Sequence, residues 1–389
     1  MTVVQVHSLM NNITQEILGR TGIVAEDLSN VVDLGTELFS ATSVDNYVKK
    51  LVNHIGRVIF VNRPYSGSVP SVLMDGWEFG SVLEKIQADL PEATENESWE
   101  LEDKREYKQD TFYQPKVSVK FFNSRVTFEV DMSFTEKQVK ESFSSAVQLN
   151  GFLSMLYNAV EKSMTIKMDA LVMRTINNFT AQTLHNEYPD EQYSTKSGAR
   201  AINLLHLFKN KFSGFNTLTP EAAITTPEFI RFASYTMKLY ADRLSKISTL
   251  FNIGGKERHT PRDLLHVVML SDFQNAADTY LQADTYHDWY TALPNAETVP
   301  YWQGTGTDYS FGSVSDIHVN IKTDDATAEV AAGGILCVMF DRDALGVTNL
   351  DRRVTTHYNA KAEFFNNFYK FDAGYFNDLN ENFIVFFVA

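Results

Sequence analysis

Three stretches of the chain hold residue types that could do chemistry. Asp341 and Asp343 flank Arg342 just after an apolar run, and paired carboxylates could serve as acid and base. That work needs an opposing partner across a cleft, so 341–346 reads instead as a polar turn after a buried strand. Gly254-Gly255-Lys256-Glu257 has the glycines and lysine of a phosphate cradle. The first glycine of such a loop and the hydroxyl residue after the lysine are missing, and a helix terminus fits better. Cys337, the one cysteine, lies inside Ile335-Leu336-Cys337-Val338-Met339-Phe340. A reactive thiolate wants a cation and an open cleft; a thiol in such a run reads as a small buried hydrophobe.

The other candidates are weaker. His259 and His266, or His185 and His206, lack the spacing of metal ligands. Neither Gly-x-Ser-x-Gly nor His-Glu-x-x-His occurs. The acidic run of Glu92, Glu95, Glu97, Glu100, Glu102, Asp103 and Glu106 lacks the turn glycine of a calcium loop and reads as a solvated loop tip. No catalytic, cofactor-binding or metal-ligating residue is assigned, no cofactor is expected, and the chain does not read as an enzyme.

Composition narrows the classes further. The chain has 389 residues, 44% of them hydrophobic, enough for a sizeable core. Its net charge of −15 and the absence of a basic patch argue against tight DNA binding. No run approaches the ~20 apolar residues of a membrane span. Met1 to Gly19 lacks the pattern of a signal peptide, so folding in a cytoplasm is expected.

The elements that would carry these residues follow from periodicity. Val44, Val48, Leu51 and Ile55 share one helical face, Arg57 to Val61 reads as a short strand, and the first sixty or so residues read as an arm. Val82, Leu83, Ile86 and Leu90 predict a short amphipathic helix. Val117, Val119 and Phe121 alternate, as do Val126, Phe128, Val130 and Met132, so both read as strand; the change of phase at Asn123-Ser124 is a turn or a bulge. A polar helix opens near Thr135-Glu136. The strongest helical signal follows, with Leu149, Phe152, Leu153, Leu156, Val160, Met164, Met168, Leu171 and Val172 at intervals of three and four apart from one-step pairs. The stretch from Ala146 to Leu184 has no proline and would span roughly 50–60 Å. Thr226-Pro227 predicts a helix start, with the helix running to about Asn252. Leu264 to Leu270 reads as a buried strand, Ser271-Asp272 opens a helix, and Asn382 to Val388 is a final strand.

This order of elements resembles the major capsid protein family of tailed bacteriophages, nearest in look to small short-tailed phages. Leu51-Val52-Asn53-His54-Ile55-Gly56 leading into Arg57-Val58-Ile59, the Phe340–Leu345 turn and the aromatic, strand-rich end carry the likeness. The resemblance implies an α+β fold of the tailed-phage and herpesvirus capsid type. It implies an N-terminal arm and helix (1–57), an extended β-loop (58–132), a peripheral domain with a long spine helix (133–219), an axial domain (220–347) and return strands of the peripheral domain (348–389). It implies a structural protein that self-assembles into hexamers and pentamers of an icosahedral head. Packaged double-stranded DNA lies inside without sequence-specific binding. It implies a scaffolding protein and a portal as partners, no membrane, and a place in a virion assembled in the host cytoplasm. An encapsulin-type compartment, another virion protein such as a tail component, or an enzyme with an unrecognised site are the rival readings. Some members of the family join a lysine to an asparagine of a neighbouring subunit. Lys104 and Lys108 lie near the expected loop tip, but among carboxylates in water an amine keeps its proton and is no nucleophile, so a noncovalent shell is expected.

The residues argue the same way by themselves. A long excursion on a two-stranded ribbon and a sixty-residue arm are marginal alone, and both make sense laid across neighbouring copies. The aromatic content of 13% fits large contact areas.

Overall fold

The structure is a computed structural model of the whole chain. It describes residues 3–20, 24–42, 44, 46–51, 69–74, 83–88, 93, 95–107, 110, 112, 114, 116–282, 294, 296–303, 309–322 and 327–389. The expected strand at Arg57–Val61 and the residues Ile55, Val82, Leu90, Glu92 and Lys108 lie outside these. The chain divides into two compact units.

The first unit comprises Met1–Gly76, Arg125–Val172 and Val347–Gly374. Its amino-terminal part is helical: α1 (Val3–Leu18), α2 (Val31–Ala41) and a short helix at 46–51. Despite the thin apolar content, Val6, Leu9, Met10, Ile13, Leu34, Leu38, Val48 and Leu51 are all buried. The rings of Phe39, Tyr47 and Phe143 meet edge to face at 5.1–5.6 Å. Gly35 is required there, since a Cβ would lie 2.7 Å from the Phe143 ring. The segment read as an arm therefore contributes, with Phe143, to a core: spaced apolar residues on short helices can close one without a dense run.

The sheet of this unit has the order β1-β11-β12-β4, built from β1 (Leu73–Met74), β4 (Arg125–Thr135), β11 (Leu345–Asn359) and β12 (Phe364–Asn377). β12 and β4 pair antiparallel from Phe364↔Thr135 to Gly374↔Arg125. Phe134, Phe365, Tyr369 and Phe371 fill its buried side. α3 (Glu136–Ser142) opens with a capping box, Thr135 and Gln138 serving each other's backbone N–H. α4, Ala146–Glu187, is the predicted long helix, 42 residues or about 63 Å. Leu149, Leu153, Leu156, Val160, Met164, Met168 and Leu171 are buried on one side, as their spacing predicts.

The second unit comprises Trp77–Ser124, Met173–Gly346 and Tyr375–Ala389. Its five-stranded sheet has the order β5-β13-β10-β6-β7, from β5 (Ala201–Asn203), β6 (Leu265–Leu270), β7 (Glu297–Val299), β10 (Ile335–Asp341) and β13 (Phe383–Phe387). β10 is central and antiparallel to both β13 and β6. All seven of its residues are buried, as a strand covered on both faces requires. α5 (Leu204–Lys211), the short α6 (Pro220–Ala223), α7 (Pro227–Leu244) and α8 (Ser271–Gln282) belong to this unit. Phe208, Phe229, Met237 and Phe273 join Met269, Leu336, Met339, Ile384 and Phe386 in one core. Gly334, at φ +73, passes so close to the Val388 carbonyl that no Cβ fits. β8 (Ile317–Lys322) and β9 (Thr327–Ala332) form a hairpin.

Four sequence expectations are corrected here. Leu83–Ala88 is not a helix but strand β2, paired antiparallel with β3 (Val117–Phe122). Pairing with a segment some thirty residues away overrides a local 3.6-residue pattern. The phase change at Asn123-Ser124 is neither a tight turn nor a bulge: β3 pairs with β2, whereas β4 pairs with β12, so the chain changes sheet there. α7 ends at Leu244 rather than near Asn252, because the backbone N–H of Thr260 takes the Leu244 carbonyl at 2.7 Å and Ser248 bridges to Arg258. Thr226 precedes Pro227 as expected, but its hydroxyl donates to the Ala222 carbonyl and caps nothing.

Candidate assembly surface

The residues singled out for chemistry are occupied structurally. Cys337 is fully buried in β10, and burial pushes its thiol well above the ordinary range. Asp341 accepts from the Thr260 hydroxyl at 2.7 Å and from the Asp343 backbone N–H at 2.9 Å, which makes 341–344 the expected turn. Gly254 and Gly255 lie ten residues past the helix they were expected to end. Gly254 donates its N–H to the Leu379 carbonyl at 2.8 Å, and a Cβ there would strike the Asn380 side chain. His266 stacks on Phe340, and burial lowers its pKa. Among the described residues no group of three or more His, Cys, Asp or Glu converges as a metal site, and no helix is long and apolar enough to cross a membrane.

What stands out is a surface. The β2–β3 ribbon pairs in register from Leu83↔Phe122 to Ala88↔Val117. Because strands alternate, its two faces carry different residues, and Glu84 is the one charged residue on the outer face. Ile86, Val117, Val119 and Phe121 lie on one face and are 66%, 56%, 44% and 64% exposed. Lys85, Gln87 and Lys120 lie on the other together with Leu83, Ser118 and Phe122, whose ring lies 5.1 Å from that of Phe376. Beyond the ribbon, Trp99 and Leu101 stand exposed in the acidic segment, and so does Phe112. That segment is solvated as expected, with Lys104 exposed in a left-handed turn at φ +67.

The polar face is held by a buried ionic cluster that sequence reasoning missed. The fully buried Asp378 carboxylate accepts from Lys85 Nζ at 2.9 Å, Lys120 Nζ at 2.9 Å and Gln87 Nε2 at 3.0 Å. Glu381 accepts from Lys85 Nζ at 2.8 Å and Arg258 Nε at 3.2 Å. Asn380 donates to Gln87 Oε1 at 3.0 Å. Burial works against both ions, yet the partners prevail: the Asp378 pKa is lowered and the Lys85 pKa raised. The only hint in the sequence is a polar turn, Asp378-Leu379-Asn380-Glu381-Asn382, set between two apolar strands.

A second exposed strip runs along α4. Val147, Gly151, Met155, Ala159, Lys162 and Ile166 recur at three and four residues on the side opposite the core and are all exposed. The C-terminal aromatics behave otherwise: Phe365, Tyr369, Phe371, Phe376, Phe383, Phe386 and Phe387 are buried within the chain. Aromatic content therefore speaks for the cores more than for contacts between copies.

A family profile described as Phi29-like phage major capsid protein matches residues 10–387. Comparison with curated protein sequences finds no match. Among solved structures, the chain is similar to one from the capsid of Staphylococcus phage Andhra, with TM-score 0.49 and 10% identity over 84% of this chain and 86% of that one. It is similar to one from the capsid of the cyanophage P-SCSP1u, with TM-score 0.45 and 11% identity over 85% and 92%. A chain of the mature bacteriophage PhiM1 capsid gives TM-score 0.42 and 6% identity over 84% and 89%.

Proposed function

The chain belongs to the Phi29-like phage major capsid protein family, a structural protein of the virion head, and on that premise we propose how it builds the head. Copies associate as hexamers and pentamers of a closed icosahedral shell around packaged double-stranded DNA. The β2–β3 ribbon makes the principal contact between copies. The observation that carries this reading is its face of Ile86, Val117, Val119 and Phe121, too apolar to leave in water and uncovered in the single chain. The exposed strip on α4, with Val147, Met155 and Ile166 around Lys162, is a second contact surface.

The division into arm (1–57), extended loop (58–132), peripheral domain (133–219 with 348–389) and axial domain (220–347) goes with this reading. A net charge of −15 suits a container wall that does not bind the polymer it encloses. A scaffolding protein and a portal act as partners, assembly occurs in the host cytoplasm, and the protein does no catalysis. The shell is held by noncovalent contacts. Light scattering and electron microscopy of the chain mixed with its scaffold test the proposal. Closed shells are expected; a chain that stays monomeric under every assembly condition overturns it.

A further inference from the structure

In the β2–β3 ribbon, Lys85 and Lys120 are register partners, directly opposed across the two strands. Like charges in that position repel and destabilise a strand pair. A two-stranded ribbon is already marginal in water. This one also exposes Ile86, Val117, Val119 and Phe121, so what it gains from burial comes from the inner face alone, where Phe122 packs on Phe376. By itself, then, the ribbon is built to come apart.

Its counterweight comes from far along the chain. Asp378 places one carboxylate oxygen 2.9 Å from each lysine, and Lys120 and Asp378 are 258 residues apart in sequence. The carboxylate is itself pinned. The Asp378 N–H donates to the Ala344 carbonyl at 2.7 Å, the Asn380 N–H donates to its Oδ1 at 3.1 Å, and the Glu381 N–H donates to its carbonyl at 3.0 Å. The turn is fixed on its other side by Gly254, whose N–H holds the Leu379 carbonyl, and by Arg258 on Glu381. Asp378 thus has a position before any ribbon arrives, set by β10, β13 and the loop after α7.

We propose that Asp378 is the positioning residue of assembly: the turn 378–382 licenses the ribbon by neutralising its opposed lysines, so the apolar docking face is presented only once β13 and its preceding turn are in place. A chain whose late strands have not yet formed then carries no ordered ribbon and cannot join a lattice. The inference rests on the reading of the ribbon as the contact between copies only for its consequence in assembly. The licensing itself is a property of the single chain.

The test is amide hydrogen exchange on the full, unassembled chain, followed at 83–88 and 117–122 and, as internal reference, at β10 and β13. In Asp378→Asn the ribbon amides should exchange about tenfold faster or more while β10 and β13 keep their protection. In Asp378→Asn/Lys120→Met, which removes the repulsion as well, ribbon protection should return towards wild type. A ribbon that stays protected in the single variant, or a double variant no better than the single, overturns the proposal. Should Asp378→Asn open β10 and β13 too, Lys120→Met alone decides. One lysine on one carboxylate needs no further counterweight, so its ribbon must remain protected, and an open ribbon there overturns the idea. Shell formation is scored on the same samples. A chain with a protected ribbon that does not assemble upholds the licensing and counts against the ribbon as the contact between copies.

Discussion

The carboxylate of Asp378 and the amine of Lys85 carry opposite pH signatures. The Asp378 pKa is lowered by its lysines, so its stabilisation is present above the unfolded carboxyl value of about 3.9 and is lost as pH falls through the folded value below it. Lys85 is raised by Glu381 and Asp378 against its burial. Its stabilisation is present below the unfolded lysine value of about 10.4 and is lost as pH rises through the folded value above it. Urea unfolding of wild type and Asp378→Ala should therefore differ by about 2–3 kcal/mol at neutral pH. That is below the ~3–5 of fully enclosed pairs, because the lysine heads are partly solvated. The difference should shrink below about pH 4. The Lys85→Met difference should shrink only above about pH 10.4. A gap that stays constant across the acid range would show that Asp378 acts by shape and not by charge.

At the scale of elements, the ribbon separates folding from assembly because its two faces do different things. The inner face is held by Asp378, Glu381 and Asn380, so substitutions on the outer face leave the anchor intact. Phe121→Lys, which faces Glu84 across the strands and so opposes no like charge, should change unfolding free energy by less than about 0.5 kcal/mol, as exposed sites do, and should abolish shells in microscopy. Phe121 is 64% exposed, so a large loss of stability would mean that it packs in a way this structure does not have. The long helix α4 obeys the same logic: its methionines at 164 and 168 are core, while Met155 on the opposite side is 55% exposed.

For the whole molecule the prediction is covalent simplicity. Lys104 is exposed in the acidic segment, and attack on a carboxamide needs an amine enclosed in a dry pocket. Mature particles boiled in detergent and reductant should run as one band near 44.1 kDa. A ladder of multimers would overturn this and would point to a lysine that becomes buried on assembly.

Local periodicity sufficed wherever one face of an element meets a core. α4 from Ala146, β6, the fully buried β10 around Cys337, and β13 were legible because burial on one side or on both leaves a one-dimensional pattern. The polar turn at Asp341 was legible too, whereas Gly254, read as a helix end, holds the Leu379 carbonyl ten residues beyond that end. Tertiary structure alone decided the rest. Leu83–Ala88 became a strand because β3 pairs with it. Asn123-Ser124 became a change of sheet because β4 pairs with β12. The residue on which the ribbon depends was invisible, because Asp378 is defined by lysines that the chain brings back from 258 and 293 positions earlier, and no sequence window contains both partners of a long-range ion pair.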